Sequence, residues 1–268
     1  MTIGRVFATV QPTLKGLGCK MRAKVLQPTG KVGDTSCEFD PSDATGFPRR
    51  LPPARKIGLG RRALTGLIPS RKLSEGASAR FESSLERDFF ALLEFSNDVA
   101  GWDPQPVRIP VPGGRPYVPD VLVHWLGHDR SLAGGRTVLY EVKYREELRR
   151  KWEELRPRYR AATRYARERG WQFRLITEDR IRTQSLFNAK FLLPYLSDPP
   201  NSQDALQLLH AIEVLGEATP ASLLEACSSD PWVRGRLVTT LWRLVADRTI
   251  AADLTSKLTM TSVIWCDC

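Results

Sequence analysis

The sequence predicts an α/β core followed by a smaller helical module closed by a β-ribbon. Strand-like segments flank a long amphipathic stretch at 145–169, and strand, helix, strand in that order implies a parallel crossover. After a linker at 197–203, SDPPNSQ, three helical periods precede two short apolar runs. With 268 residues, 42% hydrophobic and 26% charged, the chain can bury a sizeable core and is ordinary in composition.

Residues 1–54 are rich in Pro, Gly, Lys, Ser and Thr without sustained period, and read as an extended or disordered segment. Residues 55–80 alternate basic clusters with small apolar ones and read as a basic arm. A helix starts near Ser83 or Ser84. Either hydroxyl can cap free backbone N–H groups, and Glu86 and Asp88 suit the positive helix end. Leu85, Phe89, Leu92 and Leu93 give it an apolar face.

Three extended pieces follow: Val107 to Val111, Val118 to Trp125, and Thr137 to Tyr144. A Gly-rich polar turn joins the last two. The helix at 145–169 carries a stripe of Leu148, Trp152, Leu155, Tyr159, Ala162 and Ala166, read as core. Pro157 is expected to kink it and Gly170 to end it. Trp171 to Thr177 reads as a buried strand. The domain at 203–268 reads as helices Ala205–Leu215, Pro220–Ala226 and Trp232–Ala246, with strands near Ile250–Leu254 and Met260–Trp265. Three helices and a β-ribbon suggest a winged-helix module.

No apolar run approaches the length that spans a bilayer, and the N-terminus lacks the apolar stretch of a signal peptide. Five scattered cysteines without a CxxC pair argue against a disulfide framework or a zinc site, and the cytoplasm is the expected compartment. Net charge is +10. Residues 1–80 hold 15 basic and 5 acidic side chains, whereas residues 81–268 hold 25 of each. So basic a segment suits a polyanion such as nucleic acid, or serves as a solubilising tail.

The chemistry-bearing residues are Pro119-Asp120 and, twenty residues on, Glu141-Val142-Lys143. Alternation puts Glu141 and Lys143 on one strand face. Neighbouring strands can bring Asp120 to them, and Glu86 on the preceding helix adds a third carboxylate. Carboxylates so grouped suit Mg²⁺, and the ammonium suits a water or a phosphate. A bare D…ExK also arises by chance as a surface ion pair. Apolar residues on both sides of Asp120 and Glu141 favour the site, since a buried strand rarely carries an idle carboxylate. His124, His128 and His210 have no ligand spacing, and Ser83 and Ser84 have no paired base.

At these residues the chain resembles a known family. FESSLERDFFALLEFS, QPV, PDVLV and YEVKY, in this order, look like the TnsA endonuclease subunit of heteromeric cut-and-paste transposases. RRALTGLIPSRK resembles that family's basic lead-in, and ITEDRIR the strand after the long helix. The resemblance covers roughly residues 55 to 268 and is looser at the C-terminus.

It implies a restriction-endonuclease-like, PD-(D/E)xK catalytic domain at 81–197 and a winged-helix-like domain at 203–268. It implies catalytic residues Glu86, Asp120, Glu141 and Lys143. The implied cofactor is Mg²⁺, with Mn²⁺ able to substitute, held by Asp120, Glu141 and the Val142 carbonyl, with Glu86 adjacent or acting through water. The implied reaction is hydrolysis of the non-transferred strand at the transposon 5′ ends. Implied partners are the DNA ends, a TnsB-type integrase-like transposase and a TnsC-type ATPase regulator, in a bacterial, nucleoid-associated assembly.

DNA contact is expected from Arg55, Lys56, Arg61, Arg62, Arg71 and Lys72 in the arm. Residues 201–268, with 5 basic and 8 acidic side chains, suit protein docking better than non-specific DNA binding, although Arg234, Arg236 and Arg243 leave local contact open. Two other readings stay open: a stand-alone restriction or repair nuclease of the same fold, and a non-catalytic architectural subunit. Cleavage by the protein alone favours the first of these.

Overall fold

A four-stranded mixed sheet organises the central part of the chain. It is seen in a computed structural model that describes residues 65–73, 78–132, 134–197 and 199–266. Its strands are β3 (Val99–Pro104), β4 (Val121–Trp125), β5 (Arg136–Val142) and β6 (Gln172–Ile176), in that order across the sheet. The first three run antiparallel, and β6 lies parallel to β5, as a crossover through helix requires. A short hairpin, β1 (Gly66–Pro69) with β2 (Ser78–Phe81), precedes the sheet.

Helix α1 (Ser84–Phe95) covers one face of the sheet. Ser83 caps it, its Oγ accepting from the Glu86 N–H at 3.1 Å. Phe89 meets Tyr140 edge-on at 5.3 Å between ring centroids, and Phe90 meets Trp102 at 4.7 Å. On the other face, Leu155 and Tyr159 of α3 (Trp152–Glu168) pack with Leu122, Leu139, Ile109 and Tyr117. Helices thus cover both faces of the central strands, β4 and β5, whose ends carry the candidate side chains.

The long helix expected at 145–169 is two helices, α2 (Arg145–Arg150) and α3, broken at Lys151. The break, rather than Pro157, interrupts the helical run. It also rotates the stripe: Leu148 and Trp152 no longer lie four residues apart on one continuous helix, and Trp152 is 42% exposed instead of core. The end falls where expected. Gly170 has φ +70°, Trp171 N–H donates to the Ala166 carbonyl at 2.8 Å, and Gly170 N–H donates to Arg167 at 3.1 Å. The strand that follows, β6, is half-exposed rather than buried.

Beyond β6 come α4 (Glu178–Ile181), α5 (Gln184–Leu192) and a 3-10 turn, Leu193–Leu196. The C-terminal part runs α6 (Ser202–Leu215), β7 (Glu217–Ala218), α7 (Pro220–Cys227), α8 (Pro231–Ala246), β8 (Ala251–Ala252), β9 (Ile264–Trp265), with sheet order β7-β9-β8. It is seated on α5. The buried Asn188 amide donates to the Leu254 and Ser256 carbonyls at 2.9 and 2.7 Å and accepts from Leu258 N–H at 3.2 Å. Phe191 meets Trp242 edge-on at 5.1 Å. The α8 arginines face their own surroundings: Arg236 pairs with buried Asp204 at 3.0 Å, Arg243 donates to the Leu196 carbonyl at 3.0 Å, and Arg234 lies 3.9 Å from Glu225. Among the described residues, no helix is long and apolar enough to cross a membrane.

Candidate active site

The ends of β4 and β5 bring Asp120, Glu141 and Lys143 together. Asp120 lies just before β4 and is tied into the ladder at both backbone ends. Its N–H donates to the Tyr140 carbonyl at 3.1 Å, and its carbonyl accepts from Gln105 N–H at 2.8 Å. Its carboxylate accepts from the Val142 N–H at 2.7 Å, acting where a further backbone acceptor would otherwise stand. Backbone and side chain together fix the carboxylate against β5.

Glu141, 4% exposed, projects on the sheet face covered by α3. Lys143, two residues on, shares that face, and its Nζ lies 3.4 Å from Glu141 Oε1. The other carboxylate oxygen, Oε2, accepts from the Tyr117 hydroxyl at 2.6 Å. The charges of Asp120 and Glu141 act on one another, each carboxyl facing the other across the two strand ends.

Burial first, and then the Glu141 charge, pushes Asp120 well above the usual carboxylate range. Burial also pushes Glu141 up, against the pull of Lys143 and Tyr117. Burial alone would lower Lys143, but Asp120 and Glu141 outweigh it and hold the ammonium protonated. Two carboxyl groups, Glu141 buried and Asp120 half-buried, thus face one ammonium, a local shortage of positive charge.

Glu86 stands beside this pair rather than within it. Its carboxylate accepts from Glu82 N–H at 2.9 Å and from the Ser83 hydroxyl at 3.0 Å, the S-x-x-E arrangement of a helix start. Burial, then the charge of Asp120, raises its pKa to about 7. Among the described residues no three His, Cys, Asp or Glu side chains converge tightly enough to enclose a metal. The carboxylates form a pair with a neighbour, not a closed cage. The donor set still suits a hard divalent cation. Mg²⁺ takes oxygen ligands, keeps several waters and needs only one or two carboxylates, and a cation relieves the repulsion between Asp120 and Glu141.

Arg55, Lys56, Arg61 and Arg62 lie outside the described residues. Lys72 is turned inward: its Nζ donates to the Leu93 carbonyl at 2.8 Å and also to that of Ser96, at the negative end of α1. Burial lowers its pKa to about 8. Arg71 donates its N–H to Glu94 at 2.8 Å and its guanidinium to the Leu196 carbonyl at 2.5 Å. Both residues clamp the hairpin onto α1. His124 pairs with Thr137 across the strands at 3.0 Å.

Reading the motifs alone misses Tyr117. It lies three residues before Asp120, and the isolated Ile109–Tyr117 bridge positions it. It also misses the charge of α2 and α3. Residues 145–169 carry ten basic and five acidic side chains, an excess hidden by the neutral total of residues 81–268. Arg160, Arg164 and Arg167 are exposed along α3.

A mixed sheet carrying a carboxylate pair and a lysine at its strand ends defines an α/β domain. Residues 96–178 match the family described as TnsA-like endonuclease N terminal. The match spans Asp120, Glu141, Val142 and Lys143 and stops short of Glu86, and over this segment the chain is of the TnsA type. No curated protein matches the chain.

Proposed function

We propose that the chain is the Mg²⁺-dependent DNA endonuclease subunit of a heteromeric transposase, hydrolysing the non-transferred strand at the transposon 5′ ends. The observation that carries this reading is the meeting of Asp120, Glu141 and Lys143 at the ends of β4 and β5, inside the segment that matches the family.

Asp120, Glu141 and the Val142 carbonyl would hold the ion, with Glu86 reaching it through water. When bound, Mg²⁺ supplies a more acidic water and neutralises charge that builds on the phosphate. Asp120 and Val142 N–H fix the register of the two strand ends, so the ligands need no rearrangement. Lys143 stays protonated against its buried surroundings and offers a point charge to the attacking water or the phosphate oxygens. The exposed arginines of α3 supply a face for the DNA backbone, alongside the basic arm.

We assign the α-β-α-α-β-β order of the C-terminal part to a winged-helix-like module. Its engaged arginines and acidic balance favour protein docking, to a TnsC-type ATPase, over DNA binding. The integrase-type TnsB partner would cut and join the 3′ ends. In an assembly with both partners and transposon-end DNA, Asp120→Ala should abolish 5′-strand cleavage while partner binding persists. Unchanged cleavage in that variant refutes the assignment.

A further inference from the structure

Both oxygens of Glu141 are engaged, and one partner is a residue that the nuclease motif does not contain. Tyr117 is 7% exposed and donates to Glu141 Oε2 at 2.6 Å, while Lys143 stands at Oε1. The phenol comes from a segment held by two backbone hydrogen bonds between Ile109 and Tyr117, at 2.7 and 2.8 Å. Its ring meets that of Tyr159 edge-on at 6.2 Å, and Tyr159 in turn packs on Phe173 at 5.7 Å. Tyr159 belongs to α3, so the helix over this sheet face braces the phenol.

Tyr159 supplies a second, independent observation. It is 5% exposed, and its hydroxyl is buried with no hydrogen-bond partner among the described residues. The charges that act on it most are those of Glu141, Lys143 and Asp120. An apolar ring would fill the same space without stranding a hydroxyl, since buried polar groups are ordinarily paired. The Tyr159 ring stands against Tyr117, which in turn holds Glu141, so the unpaired hydroxyl lies one side chain away from the carboxylate and within the same buried cluster.

We propose that Tyr117 and Tyr159 are positioning residues of this site: Tyr117 fixes the Glu141 carboxylate for a divalent cation, and Tyr159 braces Tyr117 and offers its hydroxyl to a water on that cation. The inference rests on the metal-site reading above. A carboxylate that ligates an ion gains from a neighbour that holds its orientation, and loss of such a neighbour typically costs about 10–100-fold in metal affinity.

The experiment is direct Mn²⁺ binding to the full chain without DNA, read from the free-ion EPR signal. Asp120→Ala tests the site, and Tyr117→Phe, Tyr159→Phe, Glu141→Gln and the Tyr117→Phe/Glu141→Gln double variant test the pair. Tyr117→Phe keeps the ring packing and should weaken Mn²⁺ by about 10–100-fold in the otherwise native chain. In the Glu141→Gln background it should change affinity by less than about 2-fold, because the interaction it removes is already gone. A packing defect predicts an equal loss in both backgrounds, and that result overturns the proposal, as does native affinity in Tyr117→Phe. Tyr159→Phe should give a smaller loss, and native affinity there overturns the part assigned to Tyr159. If Asp120→Ala binds Mn²⁺ as the native chain does, the metal-site reading itself fails. Loss in Asp120→Ala with native binding in Tyr117→Phe leaves that reading standing and removes only the tyrosines.

Discussion

Two acidic clusters, one at Asp88 on α1 and one at the ends of β4 and β5, show how differently carboxylates can be kept inside one fold. Asp88, 3% exposed, accepts from Lys190 at 2.6 Å, Arg182 at 2.9 Å and Arg87 at 3.3 Å. Burial alone would raise its pKa, but Lys190 and Arg182 outweigh it and hold the carboxyl below its ordinary range. Arg182 also donates to Ser84 and Tyr144, so the cluster ties α1 to α4, α5 and the end of β5. At Asp120 and Glu141 the balance is reversed: two carboxyl groups share one lysine, and both are pushed up. Charge in excess of need marks a structural junction. We propose that an incoming cation meets the deficit at Asp120 and Glu141.

The largest expected effect is on chemistry. Lys143→Met should lower cleavage about 10²–10³-fold, the usual cost of removing one preorganised group that stabilises transition-state charge, with little change in melting temperature. Single-turnover cleavage of end DNA measures it, and a loss below about 3-fold would show that Lys143 serves the fold rather than the reaction. Asp88→Ala should do the opposite. It should destabilise by about 1–3 kcal/mol in urea unfolding, toward the lower end because Arg182 and Lys190 are 40% exposed and regain water. Cleavage per folded molecule should persist.

A smaller effect concerns pH. The folded, metal-free protein holds a proton on Glu86 up to about pH 7, whereas the unfolded chain releases it near 4.5. The folded state therefore binds more protons in that window. Stability contributed by neutral Glu86 is complete below about pH 4.5 and is lost as pH rises through about 7, by up to about 3 kcal/mol. Glu86→Gln keeps a side-chain oxygen that can accept from the Glu82 N–H and removes the titration, so its urea midpoint should fall less over this window. An identical slope in both proteins would place the titration elsewhere.

The side-chain cluster was more legible than the fold around it. Asp120, Glu141 and Lys143 are short-range features: alternation fixes the Glu141–Lys143 face, and apolar neighbours signal burial. Glu86 was found through its cap and helix, yet its engagement with Glu82 and Ser83 depends on the turn geometry at the helix start. Strand β3, VAGWDP, carries a Gly and no clean alternation, and pairing with β4 makes it a strand. The exposure of Trp152 follows from one break at Lys151 that a periodic pattern does not reveal. Lys72 read as an arm residue because its sequence neighbours are basic, while its partners, Leu93 and Ser96, lie more than twenty residues away. Tyr117 was missed for the same reason: its role is set by a partner twenty-four residues on.

The contrast between the two clusters is tested most directly by melting the metal-free protein with and without Mg²⁺, native beside Asp120→Asn and Asp88→Asn. A ligand that binds only the folded state stabilises it by about 2.7 kcal/mol at one hundred times its dissociation constant. The account predicts a Mg²⁺-dependent rise in melting temperature for the native chain and for Asp88→Asn, from a lower starting point, and none for Asp120→Asn. An equal rise in all three proteins, or no rise in the native one, would contradict it.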